Sequence, residues 1–217
     1  MTSFDSIYSL FFSQIDDYEL GKMAEEDAVE FLYNQLLIST VNFTCCKKDL
    51  SKYTPFDLGE ISIIFGEGNQ VSILQDLPVI HKNLSFKLYD GDKLLIENID
   101  YKVVMAREGH IITDILITKL NKSLPDTLTA SWIFSGEFTE DLTIDEQYIL
   151  ALGMLASWLN HKIFREENLR QVIGDTDYKG YSSANLLSKM TALRESLRLE
   201  IKEKMVKYSY KGFKGLN

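Results

Sequence analysis

The sequence of 217 residues contains little cysteine and histidine, and this scarcity excludes several classes of site. The two cysteines, Cys45 and Cys46, are adjacent, and neighbouring cysteines rarely bridge because the disulfide strains the peptide between them. A disulfide framework is therefore excluded, and we expect half-buried thiols near a helix end. The three histidines, His81, His110 and His161, are scattered, so we expect surface side chains rather than a metal site.

Long apolar runs and export signals are also missing. No apolar run approaches the length of a membrane-spanning helix. The stretch MTSFDSIYSLFFSQIDDYE has acids among its apolar residues and no basic region, unlike a secretion signal. We therefore expect a cytoplasmic protein without membrane contact.

Known catalytic motifs are absent as well. The sequence contains no zinc-protease, phosphate-loop, dinucleotide-binding or nucleophile-elbow motif. Gly66-Glu67-Gly68 is too short for a phosphate loop and indicates a hairpin turn. The acid pairs Asp16-Asp17 and Asp175-x-Asp177 lack the further ligands of a calcium loop, which favours turn and capping roles. We predict that the chain is not an enzyme and has no catalytic residue, cofactor or metal.

The net charge of −9 is unevenly distributed. Residues 186–217 contain eight Lys/Arg and three Glu, a net +5, so the other 185 residues carry −14. This polarity indicates either docking on an acidic partner or neighbouring copy, or a solvated helix face. Interleaved acids and the low overall isoelectric point argue against binding to nucleic acid.

Apolar residues recur at helical spacing in the first part of the chain. One helix is predicted to begin at Phe4 and end before Asp16, and a second to begin within residues 24–27. The apolar face of the second helix is wide, which predicts burial on more than one side. It contains Ala28, Phe31, Leu32, Leu36, Leu37, Ile38, Val41 and Phe43.

Helical patterns return after residue 138. Thr143 and Glu146 have the spacing of a capping box, which satisfies two free backbone N–H groups at a helix start. This helix is predicted to close at Asn160-His161-Lys162, and a short helix over Glu166–Ile173 to stop at Gly174. A long last helix follows, with an apolar stripe of Leu186, Met190, Leu193, Leu197, Ile201, Met205 and Tyr208.

Between Gly59 and Ser135 the apolar period becomes two, which predicts strands. Asp90-Gly91 is a hairpin signal, and the alternation in the last strand makes Leu128, Ala130, Trp132 and Phe134 its core face. Short strands with frequent turns indicate a small sandwich or barrel. The predicted strands are Glu60–Phe65, Val71–Leu77, Leu84–Tyr89, Lys93–Ile96, Tyr101–Ala106, Ile111–Leu120 and Leu128–Ser135.

This order of elements predicts an α+β protein: a helical bundle-like frame with an inserted small β-sandwich or barrel module. The predicted domains are residues 1–54 plus 139–208 (helical), 55–138 (β-rich) and 209–217 (an extended C-terminal arm). Because insertions are tolerated where the host ends lie close together, Pro55 and Phe138 are expected to be neighbours.

The C-terminal arm combines apolar anchors with steering charges. We predict that it is mobile in the monomer and becomes ordered on a partner or on an adjacent copy. The alternative is an arm folded back on its own helices. The candidate docking residues are Tyr208, Tyr210, Lys211, Phe213, Lys214 and Leu216.

Three parts of the chain resemble a known family. They are FDSIYSLFFSQIDDYEL near the start, CKKDL at 46–50, and DLTIDEQYILALGMLASWLN at 141–160 with IGDTDYKGYSSANLLSKMTALRESLRLEIKE at 173–203. They are similar to the head–tail connector, or head-completion adaptor, proteins of long-tailed bacteriophages of Gram-positive hosts. The resemblance covers both helical flanks, whereas residues from about 55 to 138 lie outside it.

The resemblance implies a helical adaptor that assembles as a ring of twelve copies under the portal protein. Such a ring extends the DNA channel and presents a platform for a stopper or tail-completion protein. The DNA would pass without sequence-specific binding, and the C-terminal arm would reach the portal. The expected location is the neck of the virion, and the host cytoplasm during assembly.

Two other functions remain open on the sequence. The chain could be a tail-completion or stopper protein of the neck. Alternatively, the β-rich module could recognise a carbohydrate or a host surface while the helices act as an anchor.

Overall fold

The computed structural model describes residues 1–66, 68–73, 84–108, 111–173 and 180–211. Within these residues the chain is a mixed α+β protein with four α-helices and antiparallel sheets. In chain order the elements are β1 (Thr2–Ser3), α1 (Phe4–Phe12), a 3-10 turn (Leu20–Lys22), α2 (Glu25–Asn42), β2 (Tyr53–Thr54), β3 (Asp57–Ile64), β4 (Gln70–Ser72), β5 (Leu84–Asp90), β6 (Lys93–Leu94), β7 (Tyr101–Glu108), β8 (Ile111–Lys119), β9 (Thr127–Phe134), β10 (Glu137–Phe138), α3 (Ile144–Ile173) and α4 (Gly180–Tyr210).

The chain divides into two compact units. The helical unit comprises Met1–Thr54 and Glu137–Asn217, and the β-rich unit comprises Pro55–Gly136. Each unit has its own cluster of buried apolar residues. Within the described residues, no helix is both long enough and apolar enough to span a membrane.

Helix α3 is the centre of the helical unit, since α1, α2 and α4 all pack on it. The capping box at its start is confirmed: the Thr143 N–H donates to a Glu146 carboxylate oxygen at 2.6 Å, and the Glu146 N–H donates to Thr143 Oγ1 at 3.4 Å. The core of the unit contains the fully buried side chains Phe4, Ile7, Phe11, Leu36, Phe138, Leu150, Ala151 and Met154.

The two chain segments of the helical unit meet where the β-rich unit begins and ends. Antiparallel pairing of β10 with β2 places Glu137 opposite Thr54 and Phe138 opposite Tyr53. The expected proximity of the ends of the insert is thereby confirmed. The predicted boundary after residue 138 differs by two residues, because β10 pairs within the helical unit.

The predicted break at Asn160-His161-Lys162 is wrong, since α3 continues without interruption to Ile173. No glycine or proline interrupts the sequence there. Ile163 is buried and extends the apolar stripe by one turn, while Lys162 forms ion pairs with Asp17 at 3.0 Å and Glu19 at 2.7 Å. Gly174, the predicted C-cap, lies outside the described residues.

The β-rich unit contains two antiparallel sheets that share one core. Their strand orders are β3-β9-β5-β6 and β4-β8-β7. The predicted core face of β9 is confirmed, because Leu128, Ala130, Trp132 and Phe134 are all buried. The end of the predicted strand Val71–Leu77 lies outside the described residues. Other side chains buried in this core include Ile63, Ile73, Leu88, Ile115 and Ile117.

Turn chemistry predicted one hairpin correctly and one wrongly. At Asp90-Gly91, β5 pairs with β6, and Gly91 has φ +58°, in the left-handed region that favours glycine. The hairpin predicted at Gly66-Glu67-Gly68 is wrong, because β3 pairs with β9 and β4 pairs with β8. The chain crosses there from one sheet to the other, which a local turn signal does not reveal.

Candidate functional site: the docking surfaces of the helical unit

The described residues contain no group of three or more His, Cys, Asp or Glu side chains that could hold a metal ion. His161 is exposed on α3 as expected, with its ring edge-on to Phe31. His81, His110, Asp175 and Asp177 lie outside the described residues.

Asp17 has the expected turn role and also anchors an ion-pair network. Its carboxylate accepts the Glu19 N–H at 3.0 Å, the Trp158 indole N–H at 2.9 Å and an ion pair from Lys162 at 3.0 Å. Burial acts to raise the pKa of Asp17, but the hydrogen bonds from Lys162 and Trp158 outweigh it and hold the pKa below its usual value. The network therefore fastens the α1–α2 connection to α3.

Tyr208 is a buried residue of α4, which confirms its predicted place in the apolar stripe and corrects the prediction that it is a docking residue. Its ring packs against Phe43 at a centroid distance of 5.3 Å. Its hydroxyl donates to the Glu146 carboxylate at 2.6 Å and accepts the Lys47 N–H at 3.1 Å. Burial and the bond to Glu146 raise the pKa of Tyr208, so the group is a neutral donor inside its own core.

Glu146 is the acceptor at this contact and is itself buried. Burial acts to raise its pKa, but hydrogen bonds from Tyr208 and Thr143 outweigh it and lower the pKa. The carboxylate thus joins the start of α3 to the end of α4. The sequence predicted its capping role but not the contact with Tyr208.

The predicted arm over residues 209–217 is wrong at its start. Ser209 and Tyr210 are the last residues of α4, and Ser209 Oγ donates to the Met205 carbonyl at 2.8 Å. Tyr210 is 69% exposed. Lys211 is held at the helix end by Asp145 and by Lys47, whose Nζ donates to the Lys211 carbonyl at 2.7 Å. Phe213, Lys214 and Leu216 lie outside the described residues.

An open groove of about 530 Å³ lies between α2, α3 and α4. Its α3 floor has small side chains, including Gly153, Ala156 and Ser157. A Cβ on Gly153 would lie 2.1 Å from Ser39 Oγ, so α2 and α3 are in close contact at this point. Ser39 Oγ donates to the Leu150 carbonyl at 2.7 Å, which fixes α2 at this distance.

The walls of the groove combine apolar and basic side chains. Ile38 of α2 lines the groove and is 47% exposed, and Val41, about one turn further along α2, is 77% exposed. Arg198 and Lys202 of α4 line the opposite wall, and the described lining residues include no carboxylate. The sequence predicted a second buried side for α2, whereas Ile38 and Val41 are exposed in the single chain.

The two cysteines lie just after α2, where half-buried thiols were expected, and this expectation is confirmed. Cys45 lines the groove, with its Sγ 3.7 Å from the Met205 carbonyl. Burial raises the pKa of Cys46. Both thiols are free, and the structure gives them a packing role.

Comparison with protein-family models, curated proteins and solved structures finds no match to this chain.

Proposed function

We propose that this chain is a structural virion protein that forms a ring beneath the portal, connects the phage head to the tail and extends the DNA channel. The proposal includes no catalytic residue, cofactor or metal. Its partners would be the portal protein, a stopper or tail-completion protein, and further copies of itself. It would act in the virion neck and pass through the host cytoplasm during assembly.

One observation carries the proposal: all the stretches that resemble connector proteins lie in the helical unit, and that unit leaves apolar side chains uncovered. Val41 is 77% exposed, Leu199 is 70% exposed and Tyr210 is 69% exposed. Exposed apolar residues on several helices are typical of a subunit that is completed by neighbours.

The charge distribution is consistent with a channel. An acidic body does not bind passing DNA, because like charges repel. The basic end of α4 is suited to an acidic protein surface. Together these features favour contact with proteins over contact with nucleic acid.

We further propose that the helical unit is an adaptor frame and that the β-rich unit is a small sandwich carried on it. We infer that the β-rich unit decorates the ring rather than lining the channel, because a bulky domain in every copy would narrow the channel. A map of the assembled ring in which Asp90–Asp92 face the channel axis would contradict this placement.

A second candidate function is binding by the β-rich unit. Ile96, Ile99 and Leu120 are exposed, and backbone hydrogen bonds link their segments: Ile99 N–H to the Ile96 carbonyl at 3.2 Å, and Leu120 N–H to the Asp100 carbonyl at 2.9 Å. An aliphatic patch favours a protein partner over a carbohydrate, because sugars are held by aromatic stacking and polar groups. The isolated unit should then bind a host or virion protein and no glycan.

Co-purification with the portal protein encoded by the same genome tests the connector function. We expect a stable complex that shows rings by negative-stain microscopy. A well-folded chain that never binds portal, alone or with the stopper protein, would rule out the connector role.

A further inference from the structure

The groove between α2, α3 and α4 has the composition of a protein-docking surface. Its lining is largely apolar, including Ile149, Ile201 and Met205, and Ile38 remains exposed at its edge. The charges in its lining are two cations, Lys202 and Arg198, and Arg198 also pairs with Glu195 of its own helix at 3.2 Å. The described lining residues include no carboxylate. An occupant should therefore present apolar side chains beside acids.

The N-terminal end of α2 presents such a surface. Tyr18 is 73% exposed and Met23 is 45% exposed. The first turn of the helix contains Glu25, Glu26 and Asp27, which are all exposed. We call Tyr18, Met23, Glu26 and Asp27 the acidic knob. Lys22 lies 4.1 Å above the Tyr18 ring, and one side of Met23 lines a hollow that also contains Lys162 and Arg165.

The knob and the groove of one chain cannot meet. Asp27 and Ile38 lie eleven residues apart on the same helix, which is about 16 Å along the axis of a rigid rod. Any contact between these surfaces must therefore join two copies. Because the two surfaces differ, the contact is heterologous, and repetition gives a ring or an open filament.

We propose that the groove receives the acidic knob of a second copy. Met23 and Tyr18 enter the apolar floor, and Glu26 and Asp27 face Lys202 and Arg198. The inference adds detail to the proposed function. It rests on that function only in assuming that the repeated contact closes into a ring. The volume of the groove, about 530 Å³, accommodates side chains of this size.

Charge favours this occupant over the exposed apolar face of α4. Leu199 and Tyr210 are exposed on that helix, whose charged residues include the cations Lys202 and Lys207, whereas Val206 lines the groove itself. Placing that face against Arg198 of another copy would bring like charges together. The acidic knob avoids this repulsion.

Charge reversal tests the contact in the full chain. Arg198→Glu with Lys202→Glu should weaken self-association by about tenfold or more, and Glu26→Lys with Asp27→Lys should do the same. The four substitutions together should restore association to within about threefold of wild type. Lys189→Glu with Lys207→Glu changes charge equally on α4 outside the groove and is the matched control. Sedimentation velocity measures association, and circular dichroism verifies folding.

Disulfide trapping gives a second readout. In a Cys45→Ser, Cys46→Ser background, Asp27→Cys and Lys202→Cys on the same chain should form a ladder of trimers and larger species on oxidation. Either substitution alone should stop at dimers, and Asp27→Cys with Lys189→Cys should give no ladder. The charge reversals are made in the protein with its native cysteines. They therefore remain informative if the variant without Cys45 and Cys46 fails to fold.

The outcomes separate this inference from the connector function. Portal-bound rings that are unaffected by either charge reversal, without a disulfide ladder, would overturn the inference and leave the connector function intact. Charge rescue and a ladder without portal binding would support the inference and count against the connector. The inference would also be overturned if the protein stays monomeric and the groove variants only lose binding to a different protein or to an apolar small molecule.

Discussion

The Tyr208 hydroxyl forms a buried hydrogen bond that links the end of α4 to Glu146 at the start of α3. Tyr208→Phe removes its bonds to the Glu146 carboxylate and the Lys47 N–H. We expect the free energy of unfolding to fall by about 1.5–3 kcal/mol, because a hydrogen bond to a buried charged group is lost. Urea denaturation measures the effect. Tyr210→Phe, on an exposed ring, is the control, and equal stabilities of the two variants would contradict the assigned role.

Asp17 should make stability depend on pH. A carboxyl group whose pKa is lowered by folding stabilises the protein above its unfolded pKa, and this contribution is lost as pH falls through the folded value. We therefore expect the free energy of unfolding to decrease from about pH 5 to pH 3. Asp17→Asn should decrease less steeply, while Asp16→Asn, at an exposed neighbour, should follow wild type. Identical slopes for both variants would refute the network.

Residue roles set by local sequence were predictable, and those set by distant contacts were not. The capping box follows from a three-residue spacing, and the structure has the predicted bonds. Tyr208 was placed both in the apolar stripe of the last helix and among the docking residues, because its buried partners, Phe43 and Glu146, are far away in the sequence. The stripe indicated the correct role, since Tyr208 is buried.

At the scale of the elements, Gly153 allows α2 to approach α3. Gly153→Ala should destabilise the helical unit by about 1–3 kcal/mol, because the added methyl group would overlap Ser39. Gly21→Ala is the control, since no atom lies within 4 Å of a Cβ at that position. Thermal and urea unfolding of both variants measure the difference. A neutral Gly153→Ala would mean that the helices are less closely packed than described.

Two truncations at the end of α4 distinguish an effect on monomer stability from an effect on docking. Truncation after Lys207 removes Tyr208 and should destabilise the monomer, because the Tyr208 side chain is buried in the helical unit. Truncation after Lys211 retains Tyr208 and its partners and tests the predicted anchors Phe213 and Leu216. It should preserve the unfolding free energy and reduce portal binding. Unchanged affinity for portal would exclude a docking role for residues 212–217.

Elements were predictable where periodicity is local. Strands lie where the alternation predicted them in the residues that the structure describes, although their ends differ: β3 begins at Asp57 rather than Glu60, and β6 ends at Leu94 rather than Ile96. The Asp90-Gly91 hairpin agrees with the structure. The assignment of β3 and β4 to different sheets was missed, because non-local pairing with β9 and β8 decides it. The continuity of α3 was missed because the polar residues Asn160-His161-Lys162 are typical of a helix end. In the structure Lys162 lies inside the helix and pairs with the distant acids Asp17 and Glu19.

For the whole molecule, the two units should fold separately. Thr54 lies opposite Glu137 in an antiparallel pair, so a short Gly/Ser linker can replace Pro55–Gly136. The deletion should unfold cooperatively, because the helical unit keeps its own buried cluster. Circular dichroism during heating tests this. Loss of a cooperative transition would show that the β-rich unit belongs to the same folding unit.

Assembly of this chain beneath the portal can be observed by imaging the neck of the tailed particle. A cryo-electron microscopy map of that region should contain a ring directly beneath the portal, in which each subunit fits the helical unit with its paired long helices α3 and α4. A neck map whose rings are all accounted for by other proteins, with no density that fits the helical unit, would contradict the account.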